Sequence, residues 1–280
     1  VVQARLLSLL CGVGSVAALY TLAHALFDRT TALCAALLLA VSPLAGWYSN
    51  EIRMYAMAGL LALLALTMLL RAVQQARRSL WIGYVLCAAL AFYTDYSAAF
   101  ILLGGAGYSL LAAIKAQTPP RRWLISHGAL AALLLPALAM LSSQLGRNLR
   151  SIAWIPGPTP RAVGATLLDL ISQHTGVPVI VSLIGLGLGL LGARALRTDL
   201  RRPRLRASHL FVACIFLAPL VLSLLLSLGH SIFLTRTVMM ALYGLLIFYA
   251  RGIVVLLRRR LIGGLLVLAP LLLVNAASLN

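Results

Sequence analysis

Acidic side chains are scarce: five Asp and Glu stand among 280 residues, against 23 Lys and Arg, and charged residues of both signs make up only 10%. A water-soluble domain carries roughly 25% charged and 45–50% apolar residues, whereas 62% are hydrophobic here. That excludes a soluble enzyme and a disordered tail. Cysteine is sparse too: Cys11, Cys34, Cys87 and Cys214 lie inside apolar runs with no C-x-x-C spacing. Small buried hydrophobes are expected, rather than a disulfide framework or a metal site. The sequence has no P-loop, no H-E-x-x-H and no G-x-S-x-G. It has no initiator Met, and the apolar run from Ser8 to Phe27 lacks the cleavage site of a signal peptide. The chain is therefore expected to be a fragment of a longer protein. The net charge of +18 is spread between apolar runs of the length that spans a membrane, so no nucleic-acid partner is expected.

Polar breaks divide the apolar runs into ten candidate spans, at 6–27, 31–49, 54–70, 80–94, 96–114, 123–145, 177–193, 209–229, 234–257 and 261–279. Lipid offers no partner to unpaired backbone groups, so only helices are credible without strand-like alternation. The expected fold class is all-α, a polytopic transmembrane helical bundle forming one domain over 1–280. Alternating ten spans puts 17 of the 23 basic residues on one side, which the positive-inside rule makes cytoplasmic. The other side holds Arg5, Arg53, Arg147, Arg150, Arg161 and Arg236. The net charge is then mainly a topology signal. Asp28 and Asp199 fall among cytoplasmic arginines, where solvation accounts for them.

The other three acids, Glu51, Asp95 and Asp169, fall on the outer side. Ionisable groups at a membrane edge are costly enough to be read as functional. Trp47, Tyr48, Tyr93 and Tyr96 gather near them, either as an interfacial aromatic belt or as walls of a site. Glu51 and Tyr55 are four apart with Arg53 between them, which fits a substrate site or an ion pair at a helix entrance. The polar stretch 146–176 is expected to be an external loop. Within it Val163, Leu167, Leu170 and Ile171 recur at helical spacing. This predicts a short amphipathic helix near 161–175 on the membrane, starting at Thr159 or Pro160 and ending at Gly176. It would present Asp169, Gln173 or His174 to a pocket, although a lone His174 also suits an interface. Gly187-Leu-Gly189-Leu-Leu-Gly192 matches the dinucleotide fingerprint but lies in a span with no strand before it. Close helix packing through Gly185 and Gly189 is expected instead.

The run Arg5-Leu-Leu-Ser8, a span ending at Phe27, Ala40-Val-Ser42-Pro43 and above all Trp47-Tyr-Ser-Asn-Glu-Ile-Arg-Met-Tyr55-Ala carry a likeness. The chain resembles the polytopic glycosyltransferases of family 39, related to dolichyl-phosphate-mannose protein mannosyltransferases and bacterial aminoarabinose transferases. The usual pattern is W-Y-S-Q-E-A-R-M-Y-A, so Asn50 stands for Gln and Ile52 for Ala. Phe92-Tyr-Thr94-Asp-Tyr96, Trp154-Ile-Pro with Thr159-Pro160-Arg161, and Phe233-Leu-Thr-Arg236 are further echoes, with Thr237 where Tyr is usual. The resemblance implies a C-type glycosyltransferase fold with an extracytoplasmic cavity. It implies inverting transfer of a sugar from a polyprenyl phosphate to an acceptor, in a bacterial inner membrane with the site facing outward. It also implies a catalytic acid in a first external loop upstream of Val1, so that the first span and that loop are expected to be missing.

Such a transfer needs a carboxylate to take the acceptor's proton and cations to hold the departing phosphate. Arginine's planar fork suits the second role, which makes Arg53, Arg236 and Arg5 the candidate phosphate ligands. Glu51, Tyr55, Asp95, Tyr96 and His174 are the candidate substrate contacts. No cofactor or metal is indicated, though a divalent ion is compatible. The expected partners are membrane lipid and a polyprenyl-phosphate-linked donor, with the acceptor open. A transporter or flippase for an anionic lipid would use the same arginines but needs polar residues at mid-span, which are few. A non-catalytic scaffold would need only charges that brace helices.

Overall fold

The computed structural model describes residues 2–51, 53–75, 77–115, 119–143, 157–172, 187, 199, 201–229, 232–259 and 261–278. The helices are α1 (Val2–Leu26), α2 (Arg29–Ala40), α3 (Pro43–Asn50), α4 (Tyr55–Gln75), α5 (Arg78–Thr94), α6 (Ala98–Ile114) and α7 (Pro120–Ser143). They continue with α8 (Pro160–Ser172), α9 (Pro203–Ser227), α10 (Thr235–Val238), α11 (Ala241–Arg259) and α12 (Leu261–Ala277). There is no strand among the described residues.

Ten spans are not supported. Among the described residues α1, α4, α7, α9 and α11 are long and apolar enough to cross a membrane, and the pair α2–α3 makes six if counted as one. The helices α5 and α6 have 17 residues each, about 25 Å at the helical rise, short of the ~30 Å hydrocarbon core. In α12 the apolar described stretch is only Leu268–Ala277, and 177–193 lies outside the described residues apart from Gly187. The span expected at 31–49 is broken instead of straight. Ser42 adopts an extended backbone and its side chain accepts the Ala45 N–H at 3.3 Å, with Pro43 in the first turn of α3. A proline keeps the residue before it out of the helical region and cannot donate backward. A new helix therefore starts at Pro43, bent 56° from α2.

Leu19, Leu22, Leu38, Leu63, Leu66, Ile101 and Phe211 fill the core with no exposed surface, while Leu10, Val13, Ile82, Leu86 and Leu103 stand out from the bundle. Helices apolar on both faces suit lipid outside and protein inside. Here α4 packs on α1 and α5, α9 on α6 and α11, and α11 on α2. A Cβ added to Gly104 would lie 2.5 Å from the Cys214 carbonyl oxygen, so α6 and α9 touch through a small residue, as apposed membrane helices do. The helices α4 and α11 are largely buried; α7 is mostly exposed and packs chiefly on α5. All four cysteines are free thiols, Cys11 and Cys34 buried, Cys87 and Cys214 half-buried.

Two sequence expectations meet different outcomes at the ends of the helices. The helix expected near 161–175 runs from Pro160 to Ser172, with Thr159 Oγ1 accepting the Ala162 N–H at 3.2 Å. It buries Thr166, Leu170 and Ser172 and exposes Leu168. Solvation, by contrast, does not account for Asp28 and Asp199. Arg251 lies inside α11, 5% exposed, and its guanidinium donates to both carboxylates. Because α11 continues to Arg259, it carries Arg251 inward rather than into a basic loop.

Candidate active site

The break at Ser42-Pro43 sets the geometry of the Trp47–Tyr55 segment that follows it. Helix α3 ends at Asn50, and Glu51 closes it in extended conformation, its N–H donating to the Trp47 carbonyl at 3.2 Å. Consecutive helical residues point about 100° apart, so Trp47 stands 62% exposed while Tyr48 turns inward at 9%. Tyr48 meets Tyr55, at the start of α4, edge to face with ring centroids 5.0 Å apart. This buried aromatic pair supports the short turn on which Glu51 and Arg53 sit.

Above the pair lies an open pocket of about 570 Å³ lined by Arg5, Trp47, Asn50, Glu51 and Arg53. Three residues singled out from the sequence, Arg5, Glu51 and Arg53, thus line one pocket, two bases and one acid. Beside it, Tyr48 lies within electrostatic reach of Glu51, Arg236 and Asp169. Asp169 of α8 accepts the Thr235 hydroxyl at 2.9 Å, which ties α8 to the short helix α10 that carries Arg236. Asp95 and Tyr96 are not among the lining residues. The two Asp95 oxygens accept the Ser97 N–H at 2.9 Å and the Ser97 hydroxyl at 2.7 Å, and Tyr96 packs edge to face on Phe92. His174 and Gln173 lie outside the described residues. Trp47, expected as belt or wall, does line the pocket together with Asn50, whereas Asp169 is not among the lining residues.

Directly below, an apolar cavity of about 570 Å³ runs between α1, α3 and α11, lined by Leu9, Val13, Val16, Tyr20, Leu44, Tyr48 and Met239 among others. Arg5, Leu9, Val13, Val16 and Tyr20 recur at three- and four-residue steps, so one face of α1 passes from the charged pocket into the apolar cavity. From Leu9 to Tyr20 that face extends about 16 Å. A charged head and an apolar tail can both be accommodated. Among the described residues no group of three or more His, Cys, Asp or Glu could hold a metal ion.

The model of the dolichyl-phosphate-mannose-protein mannosyltransferase family matches residues 1–146, more than half of the chain. The chain belongs to this family. It is accordingly an integral membrane protein of a family of lipid-linked-sugar glycosyltransferases, with the C-type glycosyltransferase fold. Its fold is similar to the crystal structure of ArnT from Cupriavidus metallidurans in the apo state, with TM-score 0.64 and 17% identity over 94% of this chain and 47% of that one. The same protein bound to undecaprenyl phosphate gives TM-score 0.66 and 19% identity, covering 96% of this chain and 49% of ArnT. An Archaeoglobus fulgidus oligosaccharyltransferase in complex with zinc and sulfate gives 0.54 and 15%, over 98% of this chain and 41% of that one. The chain therefore spans about half the length of ArnT. No curated protein matches its sequence.

Proposed function

We propose that this chain forms the lipid-donor site of an enzyme that transfers a sugar from a polyprenyl phosphate to an acceptor, by inverting displacement, on the extracytoplasmic side of the membrane. The observation that carries this reading is the charged pocket standing over an apolar cavity along one face of α1. A polyprenyl phosphate has that same division into anionic head and long apolar tail. Arg5 and Arg53 hold the phosphate, since a guanidinium fork binds its oxygens in pairs. Arg236 reinforces them from the side of α10. Glu51 steers Arg53 or meets the acceptor, and Tyr55 supports the floor of the site with Tyr48. The family membership and the fold shared with ArnT, which has been crystallised with undecaprenyl phosphate, support the donor class.

Binding of undecaprenyl phosphate to the intact protein in detergent tests this by native mass spectrometry. Undecaprenol, which lacks only the phosphate, is expected to bind at least about tenfold more weakly, the loss of one or two charge-assisted hydrogen bonds. Inorganic phosphate alone should compete poorly, because the tail supplies much of the burial. Equal retention of the alcohol and the phosphate would remove the arginine pocket from donor recognition.

A further inference from the structure

A second charged pocket lies at the far end of the bundle. Helix α4 carries the chain away from the Tyr55 end over 21 residues, about 30 Å, and α5 begins just beyond it at Arg78. Here the N-terminal ends of α5 and α7 converge on a pocket of about 500 Å³ lined by Arg78, Trp81, Ile82, Arg121, Arg122 and Ile125 together with Pro119 and Ser126. Neither helix has an acidic residue in its first turn, and Arg77 gives α5 no side-chain cap. Helix N-termini already carry partial positive charge and unsatisfied N–H groups. Three arginines there add positive charge to positive charge, and none of the five carboxylates of the chain lines the pocket.

An independent sign of a ligand comes from Trp81. It is 4% exposed, lines this pocket, and its indole Nε1–H is buried with no hydrogen-bond partner among the described residues. The neighbouring Trp123 shows the usual outcome, its Nε1–H donating to Ser109 Oγ at 3.0 Å. A buried donor left unmatched is costly, and an anion seated among the arginines would accept from it. The pocket is also amphipathic. Ile82 lies one turn after Arg78 and Ile125 one turn after Arg121, and these isoleucines are 61% and 59% exposed. Nothing about a small soluble anion calls for that arrangement.

We propose that this pocket binds an anionic phospholipid, with its phosphate between Arg78, Arg121 and Arg122, the Trp81 indole donating to it, and its acyl chains along Ile82 and Ile125. Basic pockets between membrane helices recognise such headgroups. The bound lipid would bridge α5 to α7, the helix that the protein itself buries least. The site is separate from the donor pocket, so neither proposal depends on the other.

The test is native mass spectrometry and thermal unfolding of the intact protein in neutral detergent with added phosphatidylglycerol, phosphatidylcholine or inorganic phosphate. Phosphatidylglycerol alone is expected to remain bound and to raise the unfolding temperature. The double variant Arg78→Gln, Arg121→Gln should weaken its binding at least about tenfold. Trp81→Phe, which preserves every charge and the helix topology, should weaken it several-fold. Equal retention of phosphatidylcholine, or unchanged binding by Trp81→Phe together with the double variant, would overturn the site. Inorganic phosphate binding as tightly as the lipid would overturn the lipid assignment.

Discussion

Arg251→Leu is expected to destabilise the folded bundle by about 3–5 kcal/mol, the cost of stranding a buried charge whose partner is removed. Arg251 donates from Nε to Asp199 Oδ2 at 2.9 Å, from Nη2 to Asp199 Oδ1 at 3.0 Å, and from Nη1 to Asp28 Oδ2 at 3.0 Å. Its guanidinium lies 5.3 Å from the Phe27 ring centroid, and His209 Nε2 lies 3.0 Å from Asp199 Oδ2. One side chain thus ties together the turn between α1 and α2, residue 199, the start of α9 and the middle of α11. Without it Asp199, 6% exposed, keeps only His209 among the described residues. Thermal unfolding of the purified variant in detergent measures the loss. The double variant Arg251→Leu, Asp199→Leu removes both charges and should recover much of it, because paired buried charges are not additive. A single variant as stable as the parent protein would show that the network is solvated after all.

The same network shapes the response to acid. Burial works against the Asp28 charge, but the Thr31 backbone N–H, Arg258, the Thr31 hydroxyl and Arg251 outweigh it and hold the carboxyl below its usual 3.8. A carboxyl depressed on folding contributes stability above its unfolded pKa and loses it as pH falls through the folded one. Unfolding temperature should therefore be level through neutral pH and decline below about pH 4.

Why this network escapes the sequence while the residues of the charged pocket stand out in it is a matter of distance along the chain. Arg251 stands seven residues before the basic run that starts at Arg258, and its partners are 52 and 223 residues away. Composition assigns such an arginine to a loop, since nothing local announces a buried carboxylate. The charged pocket is more legible because Trp47 to Arg53 is nearly contiguous and carries a family pattern. Arg5 joined it through that pattern, not through any visible contact. The number of spans differs from the ten expected for another reason: an apolar run of 17 residues and one of 21 have similar hydropathy, and only the helix ends tell them apart. Ser42-Pro43 is a local stop and start signal that divides 31–49. Asp95 illustrates the reverse case, a membrane-edge acid whose partner Ser97 is two residues away, a turn that local spacing could have disclosed.

Arg53→Ala is expected to lower kcat for sugar transfer by about 10²–10³-fold, the usual loss when one donor to a developing negative charge is removed. The donor's phosphodiester carries one negative charge. Cleaving its bond to the anomeric carbon leaves a phosphate monoester bearing a second. A guanidinium that meets the second charge acts more in the transition state than in the bound substrate, so kcat should fall further than KM rises. Arg53 is suited to this because its turn is footed on the buried Tyr48–Tyr55 pair and set by the bend at Ser42-Pro43. Arg5 shares the pocket, so the double variant should lose less than the product of the two single losses. Arg53→Lys keeps the charge but not the fork and should fall between parent and alanine variant. Steady-state kinetics of the intact protein with a polyprenyl-phosphate-linked sugar would measure the parent, Arg53→Ala, Arg5→Ala, the double variant and Arg53→Lys. A folded Arg53→Ala protein with unchanged kcat and KM would place the phosphate elsewhere and leave Glu51 and Arg53 as a charged pair at the entrance of α4.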